Sequence, residues 1–463
     1  MSTPAEGTPA EGAPGLSAQI AEGAVSLNLA QVPDDVVEIA RQCVLDWLGV
    51  TLAGAQEDVS RIVCQELLDS AATSQGTGAT LIGRTERLSI HDAALANGTA
   101  SHALDYDDVN ESMYGHPSVP ILAGLLALAE WTGASGTDVL CAFVAGYEAE
   151  CKVARALGGE HYQRGFHATG TVGTFGAALA CARLLGADPW QAEMAIGLAA
   201  AQASGIKSMF GTMAKPFHAG RASAAGLLAA RLAVRGFSAA PGAIETLQGF
   251  AETHSTSFDA ARALSDPAGG WYLRSNLFKY HAACFQTHSA IEGLGRLRRR
   301  EGFDAGDVVS ATVHAEPAQM RMCAIAEPET GLEVKFSLRH TGALALSGID
   351  TASIETFSDQ IAQDPALVAL RRRIDVVVDR AGGGPTAVDV VLRDGRTLSF
   401  AHDVSAPEKD VAEQGRRLRA KFDALSAPVV GPPAAGRLAD LVARLGELGD
   451  VRGLLALTAP VLG

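Results

Sequence analysis

The stretch PDDVVEIARQCVLDWL (33–48) determines the fold class expected for this chain. Its apolar residues recur at the three- and four-residue intervals that form one face of an α-helix. These residues are Val36, Val37, Ala40, Cys43, Val44, Trp47 and Leu48. The same pattern continues with few interruptions to about residue 270. The sequence therefore predicts a mainly α protein whose largest part is an all-helical domain.

Helix boundaries beyond this stretch are marked by capping residues. Ser89 followed by Asp92 resembles a capping box and predicts a helix that runs toward Ala103. Thr137 with Asp138 predicts the start of a second helix, which should reach about Leu157. Asp188 followed by proline is typical of an N-cap with proline at the first helical position.

The pattern changes after Trp271. A helix is predicted from His288 to about Arg299, and short strands are predicted at 308–313, 373–378, 387–392 and 397–401. Asp394-Gly395 predicts the hairpin between the last two strands. We expect a disordered tail (1–16), a helical domain (17–271 and 406–463) and a smaller α+β lid domain (272–405).

Composition and charge narrow the class of function. The 463 residues are 48% hydrophobic but only 5% aromatic, which favours close packing of small side chains between helices. A net charge of -15 argues against nucleic acid and anionic membranes as partners. The seven cysteines form no CxxC pair and are expected to be buried free thiols. With no recognisable signal peptide or membrane span, we expect a cytoplasmic protein.

Three segments place a histidine beside a predicted helix start. They are HALDYDDVNESMYGHPS (102–118), RGFHATGTVGTFG (164–176) and GTMAKPFHAG (211–220). We expect His116 at an N-cap before Pro117, His167 just before a helix over about 169–185, and His218 in a first turn after Pro216. Helix N-termini attract anions, so these segments predict a site for a small polycarboxylate. The glycines of GTVGTFG are expected to serve close helix packing rather than phosphate binding.

Together with GYE (146–148), FKYHAAC (278–284) and TGLEVKFS (330–337), these segments resemble the MmgE/PrpD family of metal-independent lyases and isomerases. The resemblance implies a large helical domain, a small α+β lid, an active site between them and a homodimer. Family members include 2-methylcitrate dehydratase, cis-aconitate decarboxylase and iminodisuccinate epimerase.

The resemblance also implies roles for individual residues. In the decarboxylase branch, pocket residues match Asp105, His116, His167 and Lys215, and Lys279 matches a further pocket lysine. We expect His116 and His167 to exchange protons. Asp105 would orient a histidine or bind a substrate hydroxyl. Lys215 and Lys279 would hold substrate carboxylates, and His218 would line the pocket. No cofactor and no metal are expected.

Three reactions fit these residues, and we rank them from the sequence. Dehydration of a 2-methylcitrate-like hydroxy acid comes first, decarboxylation of cis-aconitate second and epimerisation of an amino-dicarboxylate third. Val109, Cys284 and Met322 stand where the decarboxylase branch carries threonine, histidine and tyrosine, which lowers the rank of decarboxylation. A metal-dependent hydrolase and a non-catalytic interaction protein are the alternative classes. His102 with Asp105 or Cys284 with His288 would be the metal ligands of the former.

Overall fold

The computed structural model describes residues 14–70, 78–380 and 384–461, which divide into two compact units. Unit 1 comprises the chain up to Asn276 and again from Val411, and unit 2 comprises Leu277–Asp410. The divisions follow residues 276 and 410, where the sequence predicted 271 and 405. Most of the predicted disordered tail (residues 1–13) lies outside the described residues, and the first helix begins at Leu16.

Unit 1 is built mainly from helices. Its two strands, β1 (Ala79–Thr80) and β2 (Arg87–Leu88), pair antiparallel and precede α4, so the predicted all-helical domain carries a small hairpin. The helices before unit 2 are α1 (Leu16–Ser26), α2 (Asp34–Gly54), α3 (Asp58–Ser70), α4 (Ile90–His102), α5 (Ser118–Thr132), α6 (Gly136–Leu157), α7 (Gly159–Gln163), α8 (Ala168–Thr171), α9 (Gly173–Leu184), α10 (Pro189–Ala200), α11 (Ala214–Ala233), α12 (Phe250–His254) and α13 (Ala260–Leu264).

Most of the predicted helix starts carry the expected caps. Ser89 accepts a hydrogen bond from the Asp92 amide at the start of α4, and Asp188 forms a capping box with Gln191 at the start of α10. The cap of α6 is Ser135 rather than Thr137, because the Ser135 side chain and Asp138 satisfy each other's amide groups.

Small residues hold the central helices of unit 1 close together. Helices α4 and α11 cross where Gly98 faces Gly220, and a Cβ at Gly98 would lie 2.8 Å from the Gly220 Cα. Gly176 of the GTVGTFG segment packs against Glu150 of α6, where a Cβ would lie 2.2 Å from Oε2. All three glycines serve helix packing, which the sequence predicted for Gly176 but not for Gly98 and Gly220.

Unit 2 combines helices with a mixed sheet. Among its described residues the sheet has the strand order β4-β3-β5-β6, with β3 parallel to β4 and antiparallel to β5. The predicted hairpin at Asp394-Gly395 joins β5 to β6. The elements are α14 (Phe285–Glu301), β3 (Val308–Ala315), α15 (Pro317–Met322), α16 (Gly331–Val334), α17 (Leu338–Ser347), α18 (Asp359–Ala362), α19 (Pro365–Arg371), β4 (Ile374–Val378), β5 (Thr386–Leu392) and β6 (Thr397–His402).

The chain then returns to unit 1 through α20 (Val411–Val430), α21 (Pro432–Ala443) and α22 (Arg452–Ala456). Helix α20 packs against α2 and continues through Pro428, and the break before α21 falls at Gly431, which has a φ of 79°. All seven cysteines are buried, and none forms a disulfide bond. Within the described ranges, no helix has the length and apolar character needed to cross a membrane.

Candidate active site

The three histidine segments meet in unit 1, where the loop after α4 approaches the first turns of α8 and α11. His167 is the N-cap of α8, with extended backbone angles. Helix α11 begins at Ala214, so Pro216 lies within its first turn. The helix therefore begins before Pro216, whereas the sequence predicted that it begins after this residue. Proline is tolerated in a first turn because the amide hydrogen that it lacks would make no helical bond there. Helix α5 begins at Ser118 with Pro117 as its N-cap, which places His116 one residue before the predicted position.

Asp105, Lys215 and His116 form the accessible part of the cluster. The Lys215 Nζ lies 2.8 Å from Asp105 Oδ1, and the His116 Nε2 lies 3.5 Å from the same oxygen. The Asp105 side chain is 34% exposed, compared with 14% for Lys215 and 12% for His116. Asp105 is therefore the most accessible of the three groups to a molecule that approaches from solvent.

Asp107 lies beneath this group and joins two histidines. Its carboxylate accepts a hydrogen bond from His102 Nδ1 at 2.9 Å, and His116 Nδ1 lies 2.9 Å from its second oxygen. Burial alone would raise the pKa of Asp107, but the facing imidazoles of His102 and His116 hold that pKa well below its usual range. Burial also lowers the pKa of His102 to about 4, so His102 is neutral at neutral pH.

His167 and His218 form a second pair of imidazoles. Their Nδ1 atoms lie 3.0 Å apart, and the His167 ring stacks 5.8 Å from that of His102. Burial, reinforced by neighbouring His102 and Lys215, holds the pKa of His167 well below its ordinary value. Its Nε2 is buried and has no protein hydrogen-bond partner within the described ranges. A neutral imidazole with one unsatisfied ring nitrogen can accept or donate a hydrogen bond to a bound molecule.

The residues after Asp105 are tied to other elements of unit 1. Asp108 accepts hydrogen bonds from the Ser118 amide and hydroxyl, so it caps α5, and burial raises its pKa to about 7. Asn110 donates to the Tyr147 hydroxyl at 2.9 Å. Asp108 thus caps a helix, whereas Asp107 binds histidines.

The predicted site residues are not all in one unit. Asp105, His116, His167, Lys215 and His218 lie together in unit 1. Lys279 belongs to unit 2, where it is buried, and its role as a carboxylate clamp stays a prediction. Cys284 is buried at the start of α14, and Met322 is exposed at the end of α15.

His102 and Asp107 were not among the predicted catalytic and substrate-binding residues, and His102 was considered only as a possible metal ligand with Asp105. The five-residue spacing between them fits no helical or strand repeat. The chain brings them together because Asp105 adopts a left-handed φ of 51°, which turns the loop back under α4. Asp105 is a residue type that tolerates this conformation better than most, and that is the signal the sequence offered.

The cluster also has the donor types of a metal site. Ligand atoms of His102, Asp105, Asp107 and His116 all lie within 4.8 Å of one another. Imidazole and carboxylate groups of this kind bind zinc and related ions. However, the Lys215 ammonium beside Asp105 already supplies a positive charge there and would compete with a cation. That no metal is needed stays a prediction.

Imidazole, carboxylate and ammonium groups gathered at helix ends define a site suited to proton transfer on a small anion. Models of the MmgE/PrpD N-terminal domain and the MmgE/PrpD C-terminal domain match residues 18–263 and 281–447. The chain belongs to the MmgE/PrpD family, which confirms the family predicted from the motifs.

Named relatives narrow the class of reaction. The chain is 25% identical to the cis-aconitate decarboxylase of Aspergillus terreus (strain NIH 2624 / FGSC A1156) over 96% of both chains. It is 24% identical to the Mus musculus cis-aconitate decarboxylase over 92% of this chain and 89% of the relative. It is 28% identical to the Homo sapiens enzyme of that name over 61% and 60% of the two chains. These relatives support the predicted lyase class but not the first-ranked dehydration.

Proposed function

We propose that this protein is a carboxy-lyase that acts on an unsaturated tricarboxylate of the cis-aconitate type. The observation that carries the proposal is the likeness to cis-aconitate decarboxylases over 96% of both chains. The cluster of Asp105, His116, His167 and Lys215 supports it, because these residues match that branch and lie together in unit 1. The proposal reverses the ranking drawn from the sequence, which placed dehydration first.

The chemistry of such a decarboxylation needs one proton. The bond between a methylene carbon and its carboxylate breaks, and carbon dioxide leaves. The electron pair of that bond forms a new carbon–carbon double bond to the central carbon. The electron pair of the former double bond then takes up one proton at the carbon on the other side. The enzyme must supply that proton and stabilise the negative charge that develops before it arrives.

His116 is the proton donor in this proposal. Its ring nitrogens lie 2.9 Å from Asp107 and 3.5 Å from Asp105, so both N–H groups of an imidazolium would have a carboxylate within reach. Asp107 holds the ring in place, because it is buried and is fixed by His102 on its other side.

Lys215 and the second histidine pair bind and orient the substrate in this proposal. A substrate carboxylate that approaches Asp105 would compete for the Lys215 ammonium, which lies beside the exposed edge of the cluster. His167, whose Nε2 has no partner among the described residues, would donate to or accept from the same molecule. His218 would support His167 through the 3.0 Å contact between their Nδ1 atoms.

Dehydration is the second candidate function, and one feature of the site favours it. Loss of water from a hydroxy acid needs a base for one proton and an acid for the departing hydroxyl. His116 and His167 are two imidazoles on separate elements, and the intervening His102 ring lies 4.6 Å from one and 5.8 Å from the other. Such a pair could perform both tasks.

An assay in D₂O separates these reactions. The purified protein would be incubated with cis-aconitate, 2-methylcitrate or iminodisuccinate and followed by proton NMR. We expect carbon dioxide release from cis-aconitate. The product should carry one deuterium on the carbon that was part of the former double bond and has become a saturated methylene group. A new alkene signal from 2-methylcitrate without carbon dioxide would instead support dehydration, and deuterium exchange in iminodisuccinate alone would support epimerisation. Either result, without decarboxylation, would overturn the proposal.

A further inference from the structure

We propose that Lys421, on the C-terminal helix α20, is a positioning residue for the candidate active site. It acts by holding the peptide group that joins Tyr106 to Asp107. The inference rests on the proposed function only for its kinetic readout, because the contacts that support it lie within unit 1 and are independent of the substrate.

Lys421 contacts Asp46 and Tyr106 in the interior of unit 1. Its Nζ lies 2.6 Å from Asp46 Oδ1 on α2, donates a hydrogen bond to the Tyr106 carbonyl at 2.7 Å, and lies 3.9 Å from the centre of the Tyr106 ring. The side chains of Lys421 and Asp46 are 3% and 2% exposed, and Tyr106 is fully buried. A buried ammonium needs charged and hydrogen-bonding partners of this kind, so its position and theirs depend on one another.

The peptide group that Lys421 holds is at the centre of the site. The Tyr106 carbonyl belongs to the peptide bond that leads to Asp107, whose carboxylate binds His102 and faces His116. On the other side, Tyr106 follows Asp105, whose backbone has a left-handed φ of 51°. A conformation of this kind persists where the surroundings fix it. Rotation of the 106–107 peptide would remove the carbonyl from Lys421 and move both carboxylates.

The ion pair of Asp46 and Lys421 thus joins α2 and α20, which are far apart in the sequence, to the loop that contains Asp105 and Asp107. Helix α2 supplies the carboxylate and α20 supplies the ammonium, and Tyr106 lies against the pair. Neither charged residue is among the predicted site residues, and the sequence offers no local pattern that pairs them. If Lys421 acts through this peptide group, its loss should change the surroundings of the His116 ring, because Asp105 and Asp107 would move. The effect would then not be limited to the stability of the fold.

The test removes both charges, because a lone buried Asp46 carboxylate would destabilise the protein for an unrelated reason. The variant is Asp46→Asn with Lys421→Met, and Lys421→Arg is the conservative replacement. Arg419→Met with Asp423→Asn is the control, since it removes an ion pair from the same helix at the surface, with a distance of 3.0 Å. Circular dichroism and thermal unfolding would establish that every variant is folded at the assay temperature.

Two readouts decide the proposal. We expect kcat to fall at least tenfold in the double variant with KM changed less than threefold, because the substrate-binding Lys215 is retained. We also expect the ¹⁵N chemical shifts of the His116 ring, followed by NMR of ¹⁵N-histidine-labelled protein without substrate at one fixed pH, to differ from those of the wild type. Lys421→Arg should recover part of both effects, and the surface control should match the wild type.

The two readouts distinguish failure of this inference from failure of the proposed function. A folded double variant with wild-type kcat and unchanged ¹⁵N shifts of the His116 ring would overturn the positioning role. If the wild-type protein does not decarboxylate cis-aconitate, the proposed function fails, but the ¹⁵N shifts of the His116 ring still test Lys421. A change of those shifts in the double variant and not in the control would then support the positioning role alone.

Discussion

Each ring nitrogen of His116 faces a carboxylate, and His167 keeps one ring nitrogen without a protein partner in the described parts of the chain. We therefore expect His116→Ala and His167→Ala each to lower kcat by roughly 100-fold or more, because the first removes the proposed proton donor and the second removes a ring nitrogen that would orient the reacting molecule. Steady-state kinetics would measure this, with His91→Ala, a partly exposed residue whose ring faces only Asp92, as the control. Near wild-type turnover in both site variants would exclude an acid/base role.

Lys215 should affect binding more than turnover. Its ammonium lies beside the exposed Asp105 carboxylate, where a substrate carboxylate can reach it. Replacement by alanine removes a charge-assisted contact, and we expect KM to rise by about 10- to 100-fold. Lys409→Ala, an exposed lysine of unit 2, is the control. A Lys215→Ala enzyme with unchanged KM but greatly reduced kcat would point instead to a role in the chemical step.

The buried His102 makes the stability of the fold depend on acid. Its pKa is about 4 in the folded protein, compared with an ordinary value of 6.5, because it is buried. Between these values the unfolded chain binds more protons, so the free energy of unfolding should fall as pH decreases from 6.5 toward 4. The expected contribution is on the order of 3 kcal/mol.

Denaturant unfolding at pH 7 and pH 4.5 would measure this contribution. In His102→Gln the loss of stability between the two pH values should be smaller than in the wild type. His314 is the control of opposite sign, because hydrogen bonds to Asp379 and Asp389 raise its pKa. His314→Gln should therefore not reduce the acid loss. An acid loss in His102→Gln equal to that of the wild type would show that His102 does not cause it.

The sequence identified the residues of the cluster that lie in the histidine motifs better than it identified His102 and Asp107, which support them. Asp105, His116, His167, Lys215 and His218 could be named because each stands in a motif beside a helix start. His102 and Asp107 could not, because their contact depends on the left-handed turn at Asp105 and on tertiary packing. Whether each named residue acts as predicted awaits the kinetic tests.

At the scale of elements, the crossing of α4 and α11 sets the distance between the Asp105 loop and Lys215. Helix α4 ends at His102, and α11 begins just before Lys215. The helices meet at Gly98 and Gly220, and a Cβ at Gly220 would lie 2.3 Å from the Leu95 carbonyl oxygen and 2.4 Å from Thr99 Oγ1. Since backbone atoms of α4 occupy that space, the two helices would have to separate.

Gly220→Ala should therefore destabilise the protein by about 1–3 kcal/mol and weaken substrate binding as Lys215 moves away from Asp105. Gly23→Ala is the matched control, because Gly23 lies in α1 with open space around it. That variant should be neutral or stabilising by up to about 1 kcal/mol. Thermal unfolding and KM would be measured for both. Equal stability in the two variants would contradict the role given to the α4–α11 contact.

The presence of the helices could be predicted from the sequence more reliably than the residues at which they begin and end. The caps that start α4 and α10 are local, since the capping residue and the amide it satisfies are three positions apart. Helix α11 was predicted to begin after Pro216, but it begins at Ala214, because proline is tolerated in the first turn of a helix. The β1–β2 hairpin was missed because two-residue strands carry no measurable alternation.

At the scale of the whole molecule, we expect activity without a metal. The prediction is that dialysis against a chelator leaves kcat unchanged, because Lys215 supplies the positive charge beside Asp105 that a cation would otherwise provide. Elemental analysis of the active protein would accompany the assay. Stoichiometric metal together with loss of activity on chelation, restored by adding that metal, would contradict the prediction.

The division of the chain into a mainly helical unit and an α+β unit could be predicted, because a change in residue pattern near Trp271 is visible along the sequence. The contacts by which the last helices complete unit 1 could not be derived from the sequence. Helix α20 is amphipathic, but nothing local indicates that Lys421 meets Asp46 and Tyr106. The predicted homodimer is untested and would be examined by light scattering.

The contact between Lys421 and Tyr106 spans 315 residues of chain. During protein synthesis, at about 5–20 residues per second, the loop with Asp105 leaves the ribosome roughly 15 to 60 seconds before the helix that secures it. In that interval Asp46 and Tyr106 lack the lysine, and unit 2 is made before unit 1 can close. The nascent protein would therefore complete the geometry of the candidate site only at the end of translation, and the helices of unit 1 that are made first would expose apolar surface during that wait.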